Sequence, residues 1–381
     1  MDLTSPYVLF RDDKTGTVTL FTEPDELIVA NEAEDFFPAL ERMQAARASG
    51  KYLAGYMSYE AGYLFEPKLA PLAQVKRDVP LLCFGVFTSP SSDISPPPSL
   101  MNADDFLSDI KPGWTLDEYS AQFARLHQHL RQGDCYQANL TMPINARWSG
   151  DPLTAFWSLI ARQPVKYGAL LDLGGPVILS RSPELFFSVK DGWIETHPMK
   201  GTVKRGASPE DDAALIATML EDEKTQAENR MIVDLLRNDI SRIIEVGTLE
   251  VPKLFHIETY PTVHQMVSHV RGKLLPDMTV TDIFAALFPC GSITGAPKMR
   301  AMEILHDLET GPRNAYCGAI GIMSPDGDMR FSVSIRTITL FEDGNATFNV
   351  GGGIVFDSVA EAEYEECLLK AKFATGDRRL G

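Results

Sequence analysis

Two helical stretches carry carboxylates where an apolar side belongs. In "AENRMIVDLLRNDISRII" the residues Ile232, Leu235, Leu236, Ile240 and Ile243 mark the buried side, and Glu228 falls on or beside it. In the C-terminal stretch Ala362, Leu369 and Phe373 mark an apolar stripe that contains Glu366, with Glu363 one turn earlier at its flank. A carboxylate in such a stripe is costly unless it is paired, protonated or bound to a cation. Salt bridges to Lys or Arg would satisfy these groups, and so would a stripe whose end is solvated. The other arrangement brings Glu228 and Glu366 together on one divalent ion, and an oxygen-only set suits Mg2+.

A second feature is "HPMKGTVKRG", which sets Lys200 between a methionine and a glycine just after a strand-like run. Lys200 is either a solvated charge or an amine held for chemistry. "GSITGAPK" (Gly291 to Lys298) places small residues and Pro297 before a helix, where free N–H groups can hold an anion. "GGGIV" (Gly351, Gly352, Gly353 and on) lets a ligand or another backbone approach closely. Either segment also reads as an ordinary tight turn, and neither has the Walker or dinucleotide spacing. In "RFSVSIRT", alternation sends Phe331, Val333 and Ile335 to one face and Arg330, Ser332, Ser334 and Arg336 to the other. Arg336 is then a solvated cation or a bidentate carboxylate clamp. His264, among Val263, Met266 and Val267, reads by itself as a satisfied core histidine.

These residues need elements to position them. Helical periodicity covers Glu32 to Ala48, Thr115 to Gln132, and Ser208 to Ile244 with a break near Glu221 to Glu223. It returns in "GAPKMRAMEILHDLE" and in Ser358 to Ala374, where Ser358 and Glu361 have capping-box spacing. Strand-like runs lie between, including a hairpin at Asp191-Gly192 and the pair "YCGAIGIM" and "MRFSVSIRTITLF". Without a strict βαβ rhythm, the class is α+β with largely antiparallel sheet. "TSPSSDISPPPSL" (Thr88 to Leu100) is the linker or long-loop candidate. It divides a β-rich N-terminal part, 1–100, from a catalytic region, 101–381, the two forming one continuous unit.

The totals exclude several classes. The chain has 381 residues and a net charge of −17, from 52 acidic and 35 basic residues, which argues against nucleic acid. Five cysteines without a C-x-x-C pattern argue against a disulfide framework or a thiolate metal site. No basic–apolar leader and no membrane-length apolar run is present, so a cytoplasmic protein without a membrane partner is expected.

"SRSPELFF", "HPMKGTVKRG", "AENRMIVDLLRNDISRI", "FPCGSITGAPKMRAMEIL", "AYCGAIG", "SVSIRT" and "GGGIVFDSVAEAEYEECLLK" occur in this order. Together they closely resemble the chorismate-utilising enzymes, densely from about residue 133 onward and more loosely before, in "AGYMSYEAGYLFEP". The resemblance implies two largely antiparallel sheets packed as a sandwich with helices outside. Within that family a lysine at position 200, where anthranilate synthases carry a small residue, is the mark of the aminodeoxychorismate synthases. It implies that Lys200 attacks C2 of chorismate, that Glu184 is the general acid, and that ammonia then enters at C4 to give 4-amino-4-deoxychorismate for 4-aminobenzoate and folate. His264 joins Lys200 and Glu184 as a catalytic candidate. Mg2+ is expected on Glu228 and Glu366 with Glu363 in support. The substrate is expected against Gly201, Thr202, Ser292, Tyr316, Arg336, Lys370 and the backbone of Gly351, Gly352 and Gly353.

Lys204 and Arg205 have the sign needed to lower the Lys200 pKa. Thr225 departs from the acidic residue that relatives often carry near the metal. No element like the tryptophan-binding Leu-Leu-Glu-Ser of anthranilate synthases is evident, so that feedback is not expected. No G-x-C-x-G signature is present, so a separate glutamine amidotransferase is the implied ammonia source. Anthranilate synthase, isochorismate synthase and a non-catalytic chorismate-binding subunit are the competing readings.

Overall fold

The β-like alternation seen in the sequence is resolved by two large antiparallel sheets. A computed structural model describes residues 3–73, 76–91, 106–260 and 263–378. Among these residues one sheet has nine strands and the other ten. In the nine-stranded sheet Gln137–Trp148 and Asn345–Ile354 lie side by side, and Tyr7–Asp12 and Thr17–Thr22 form the far end. The ten-stranded sheet runs from Met199–Lys204 at one end to Glu26–Ala30 at the other. The first ninety residues thus supply strands to both sheets. Most of the linker candidate, 92–100, lies outside the described residues.

Three apolar clusters define the layers. Phe10, Phe21, Ala169 and Ile178 of one sheet meet Tyr56, Cys83, Phe87 and Ile320 of the other. Helices Ala33–Ala48, Glu223–Ser241 and Val280–Leu287 cover the outer face of the ten-stranded sheet. Helices Leu116–Gln132, Pro152–Arg162, Lys298–Leu308 and Ala360–Thr375 cover the outer face of the other. The intersheet cluster does not include Gly351–Gly353 or Lys200, which face the opposite end of the sandwich.

Local signals account for many of the boundaries. The hairpin at Asp191-Gly192 has both residues at positive φ, as a two-residue turn with right-handed strand twist requires. The helical break falls as expected: Glu221 ends one helix and Glu223 begins the next, with Asp222 capping through its side chain. Two expectations fail at helix starts. Ser358 does not cap the C-terminal helix, because its hydroxyl donates to Glu363 at 2.7 Å; Val359 is the N-cap. Pro297 is itself an N-cap residue rather than the first helical one.

The segment "MRFSVSIRTITLF" is not one strand. Met329–Val333 belongs to the ten-stranded sheet and Thr337–Leu340 to the nine-stranded one. The chain crosses between sheets at Ser334–Arg336, and Arg336 has φ 51°. The strict two-residue alternation therefore stops before Arg336, which projects from a corner rather than from a sheet face.

Candidate active site

Lys200 owes its position to a bulge. Met199 pairs with Val267 and Thr202 with Gln265, so the ladder shifts between them. Gly201 sits there at φ 88°, a left-handed conformation that glycine adopts without cost. A Cβ at Gly201 would also lie 2.6 Å from the Thr225 methyl, so Thr225 packs directly beside the Lys200 turn. The amine end reaches across to the other sheet: Lys200 Nζ lies 3.2 Å from where a Cβ on Gly353 would be. Burial lowers the Lys200 pKa, and the charge of Lys370 lowers it further; Glu228, Glu184 and Glu366 act against them. The neighbouring cations expected from the sequence do not serve. Arg205 turns away to Asp212 and the Tyr260 carbonyl, and Lys370 takes the role.

Glu184 is 4% exposed and lies in the link between strands Val177–Ser182 and Leu185–Lys190. Burial pushes its carboxyl up to about 7, against the pull of a 2.6 Å hydrogen bond donated by Ser292 and of the charges on Lys200 and Arg336. "GSITG" thus contributes a side-chain hydroxyl, and at the helix start beyond it the Lys298 amine is spent on Asp239 and the Leu287 carbonyl. The Arg336 guanidinium is held at about 10 by burial, with the charges of Glu184 and Tyr316 opposing. Tyr316 is buried, and desolvation raises its phenol well above 10.

The three glycines are not equivalent. Asn139 directs its N–H at the Thr294 carbonyl and its own carbonyl at Arg313, and the Thr141 N–H is donated to Glu309. These residues face Gly353 and Gly351. Both are therefore non-hydrogen-bonded pairs, whose glycine N–H groups point away from that neighbour. Gly352 between them spends its N–H in the ladder. Lys370 already donates to the Gly351 carbonyl at 2.8 Å.

The carboxylates gather in part. Glu363 lies 2.9 Å and Glu366 3.9 Å from the Cβ position of Gly352. Burial raises the Glu363 pKa, and the charge on Glu366 raises it again. Glu366 is paired with Lys370 at 2.7 Å, one of the pairings open from the sequence. Leu369 is exposed, so the apolar face of this helix is instead Tyr364, Cys367, Ala371 and Phe373. Glu366 stands at the edge of that face. Glu228 acts on Lys200, yet its oxygens do not join those of Glu363 and Glu366 in a compact cluster. An all-oxygen set with two mutually repelling carboxylates suits Mg2+, which would relieve that repulsion.

His264 is a correction. Its Nε2 lies 2.9 Å from Asp212 and its Nδ1 3.0 Å from the Thr259 hydroxyl, in a residue only 1% exposed. No ring nitrogen is left for a reacting proton. His264 instead holds helix Pro209–Glu221 to the sheet. Thr202 is exposed two residues beyond Lys200.

One pocket residue was not singled out from the sequence. Gln137 is fully buried, and neither amide atom has a hydrogen-bond partner. Its Nε2 lies 2.8 Å from the Cβ position of Gly353, beside Lys200. The available signal was the polar alternation of Gln137, Asn139 and Thr141 along one strand face.

A dry acid, a half-buried amine, a guanidinium and backbone N–H groups turned out of the strand pairing, all between two sheets, describe an enzyme site for a small anionic substrate. The chain belongs to the chorismate binding enzymes: the family model matches residues 5–376. It is 45% identical to aminodeoxychorismate synthase component 1 of Klebsiella aerogenes over 254 residues, 67% of this chain and 56% of that protein. It is 37% identical to anthranilate synthase component 1 of Methanothermobacter marburgensis over 341 residues, 84% of this chain and 73% of that one. The chain thus spans little more than half the length of the aminodeoxychorismate synthase relative. The crystal structure of anthranilate synthase component I from Streptococcus pneumoniae superposes with a TM-score of 0.81 at 28% identity, covering 98% and 93% of the two chains. The menaquinone-specific isochorismate synthase of Escherichia coli shares the fold, with a TM-score of 0.77 at 16% identity, covering 98% and 89% of the two chains. Among the described residues no helix is long and apolar enough to cross a membrane.

Proposed function

We propose that the chain converts chorismate and ammonia to 4-amino-4-deoxychorismate, as an aminodeoxychorismate synthase component I. The observation that carries this reading is the Glu184–Lys200 pair. Burial drives both toward their neutral forms, the carboxyl upward and the amine downward. A neutral acid and a neutral amine are what the reaction requires. The Lys200 amine adds to C2 of chorismate, the ring double bonds shift, and the C4–O bond breaks. Glu184 delivers its proton to the departing hydroxyl, which leaves as water. Ammonia then adds at C4, the double bonds shift back, and the C2–N bond to Lys200 breaks.

Arg336, Tyr316 and the N–H groups of Gly351 and Gly353 would hold the enolpyruvyl carboxylate. Glu228, Glu363 and Glu366 would hold Mg2+, which supplies charge neutralisation for the ring carboxylate when bound. Relatives at 43–45% identity are named component 1. That name supports a glutamine amidotransferase partner as the ammonia source.

The test is product analysis by HPLC after incubation with chorismate, Mg2+ and excess ammonium near neutral pH, with Lys200→Ala alongside. A product that aminodeoxychorismate lyase turns into 4-aminobenzoate, formed only with Lys200 intact, is expected. Anthranilate or isochorismate would overturn the role given to Lys200. No turnover, even with the glutaminase added, would favour a chorismate-binding subunit.

A further inference from the structure

Three residues before Lys200 the chain carries a second cluster of ligating side chains. Strand Trp193–Thr196 pairs with strand Val263–Lys273, with Glu195 opposite Arg271 and Thr196 opposite Val270. Side-chain alternation then puts Glu195, His197, His269 and Arg271 on one sheet face. Arg271 is committed to Glu250 at 2.8 Å. Glu195 is left to the two histidines: its Oε1 lies 2.9 Å from His197 Nε2 and 3.0 Å from His269 Nδ1. The two imidazole rings stack with centroids 3.7 Å apart.

This arrangement is underbonded for two half-buried imidazoles. His197 Nε2 touches the carboxylate but makes no hydrogen bond, and His269 Nε2 has no partner either. One carboxylate oxygen serves two rings, of which only His269 bonds it in good geometry. Ligand atoms about 2.0–2.1 Å from a tetrahedral metal lie roughly 3.4 Å from one another. The contacts at 2.9 and 3.0 Å are shorter than such edges, and one ligand atom from each of the three residues falls within 4.8 Å of the others, so a small outward shift would open the cluster to an ion.

We propose that Glu195, His197 and His269 form a site for a borderline divalent transition metal of the Zn2+ class, separate from the carboxylate site. Two imidazoles and one carboxylate suit such a metal, whereas Mg2+ takes oxygen ligands. The charge of Glu195 would offset the metal, and side-chain exposures of 12–32% leave solvent access for a fourth ligand. Burial lowers the His197 pKa against the pull of Glu195, which favours the neutral form that ligates. The site would tie the two strands together just ahead of the bulge that aims Lys200. Pro198 and Ser268, which follow His197 and precede His269, already link there: the Ser268 N–H donates to the Pro198 carbonyl at 3.0 Å, and its hydroxyl to Asn229 at 2.6 Å.

The full chain, stripped of metal, would be titrated with Co2+ in Mg2+-free buffer and followed by its visible d–d absorption. One saturable Co2+ per chain is expected, displaced by Zn2+ and not by excess Mg2+. His197→Gln and Glu195→Gln should each weaken it at least ~10-fold, while Glu366→Gln should leave it. A readout on the unaltered chain guards against variants that fail to fold: Zn2+ should shift the ring 15N resonances of two of the seven histidines, His197 and His269. No saturable Co2+ band, a band indifferent to the His197 and Glu195 changes, or Zn2+ shifts on other histidines would each overturn the proposal.

Discussion

Replacing Glu184 with glutamine isolates the effect of its dry surroundings. Gln keeps an oxygen to accept the Ser292 hydroxyl but cannot ionise. Burial moves the carboxyl from 4.5 to about 7, which corresponds to about 3 kcal/mol between the two protonation states. The folded-state pKa is raised. The stability associated with the protonated carboxyl is therefore intact below pH 4.5 and is lost as pH rises through about 7. Between pH 5.5 and 8.5 roughly 2 kcal/mol of that loss should fall. Glu60 is also buried and also pushed up to about 7, so wild type alone would mix two carboxyls. The difference between wild type and Glu184→Gln cancels Glu60. Urea unfolding at the two pH values should show the variant gaining about 2 kcal/mol on wild type at pH 8.5 relative to pH 5.5. Parallel stabilities across that range would refute the raised pKa and remove the ground for Glu184 as the acid. The same variant should retain chorismate binding and lose at least ~100-fold in turnover.

Turnover should fall as pH rises through about 7, where Glu184 ionises; initial rates flat through that range would contradict its role as the acid. Gly353→Ala would put a methyl 2.8 Å from Gln137 Nε2 and 3.2 Å from Lys200 Nζ. It should cost about 1–3 kcal/mol in unfolding measurements and more than ~10-fold in kcat/KM. Arg313 bonds the Ile293 and Asn139 carbonyls and pairs with buried Glu309. Arg313→Ala should therefore lose about 3–5 kcal/mol by denaturant titration, because Glu309 is left buried without its cation. EDTA should abolish turnover and Mg2+ restore it, with Glu366→Gln needing more Mg2+ for half-maximal rate.

Short-range chemistry was legible in the sequence. The Asp191-Gly192 hairpin, the Thr115 and Ser208 helix starts and the break at Asp222 are set by residues within a turn of each other, so local propensity decides them. The order of motifs marked the family, the α+β class and the neighbourhood of Lys200, Glu184, Ser292 and the glycines. What required the tertiary structure was every direction that depends on a distant partner. Arg336 leaves its strand pattern because the chain changes sheets there. Ser358 abandons a capping box because Glu363 competes for its hydroxyl. His264 is spent on Asp212 and Thr259, residues that only the folded sheet brings to it. Arg205 turns from Lys200 to Asp212, and Lys370, 170 positions along the chain, supplies the cation instead. The buried, unpartnered amide of Gln137 and the Glu195–His197–His269 cluster likewise exist only once strands far apart in sequence are paired. Local pattern selects residue types and elements. Burial and partner choice, which set the pKa values the site depends on, are properties of the assembled sandwich.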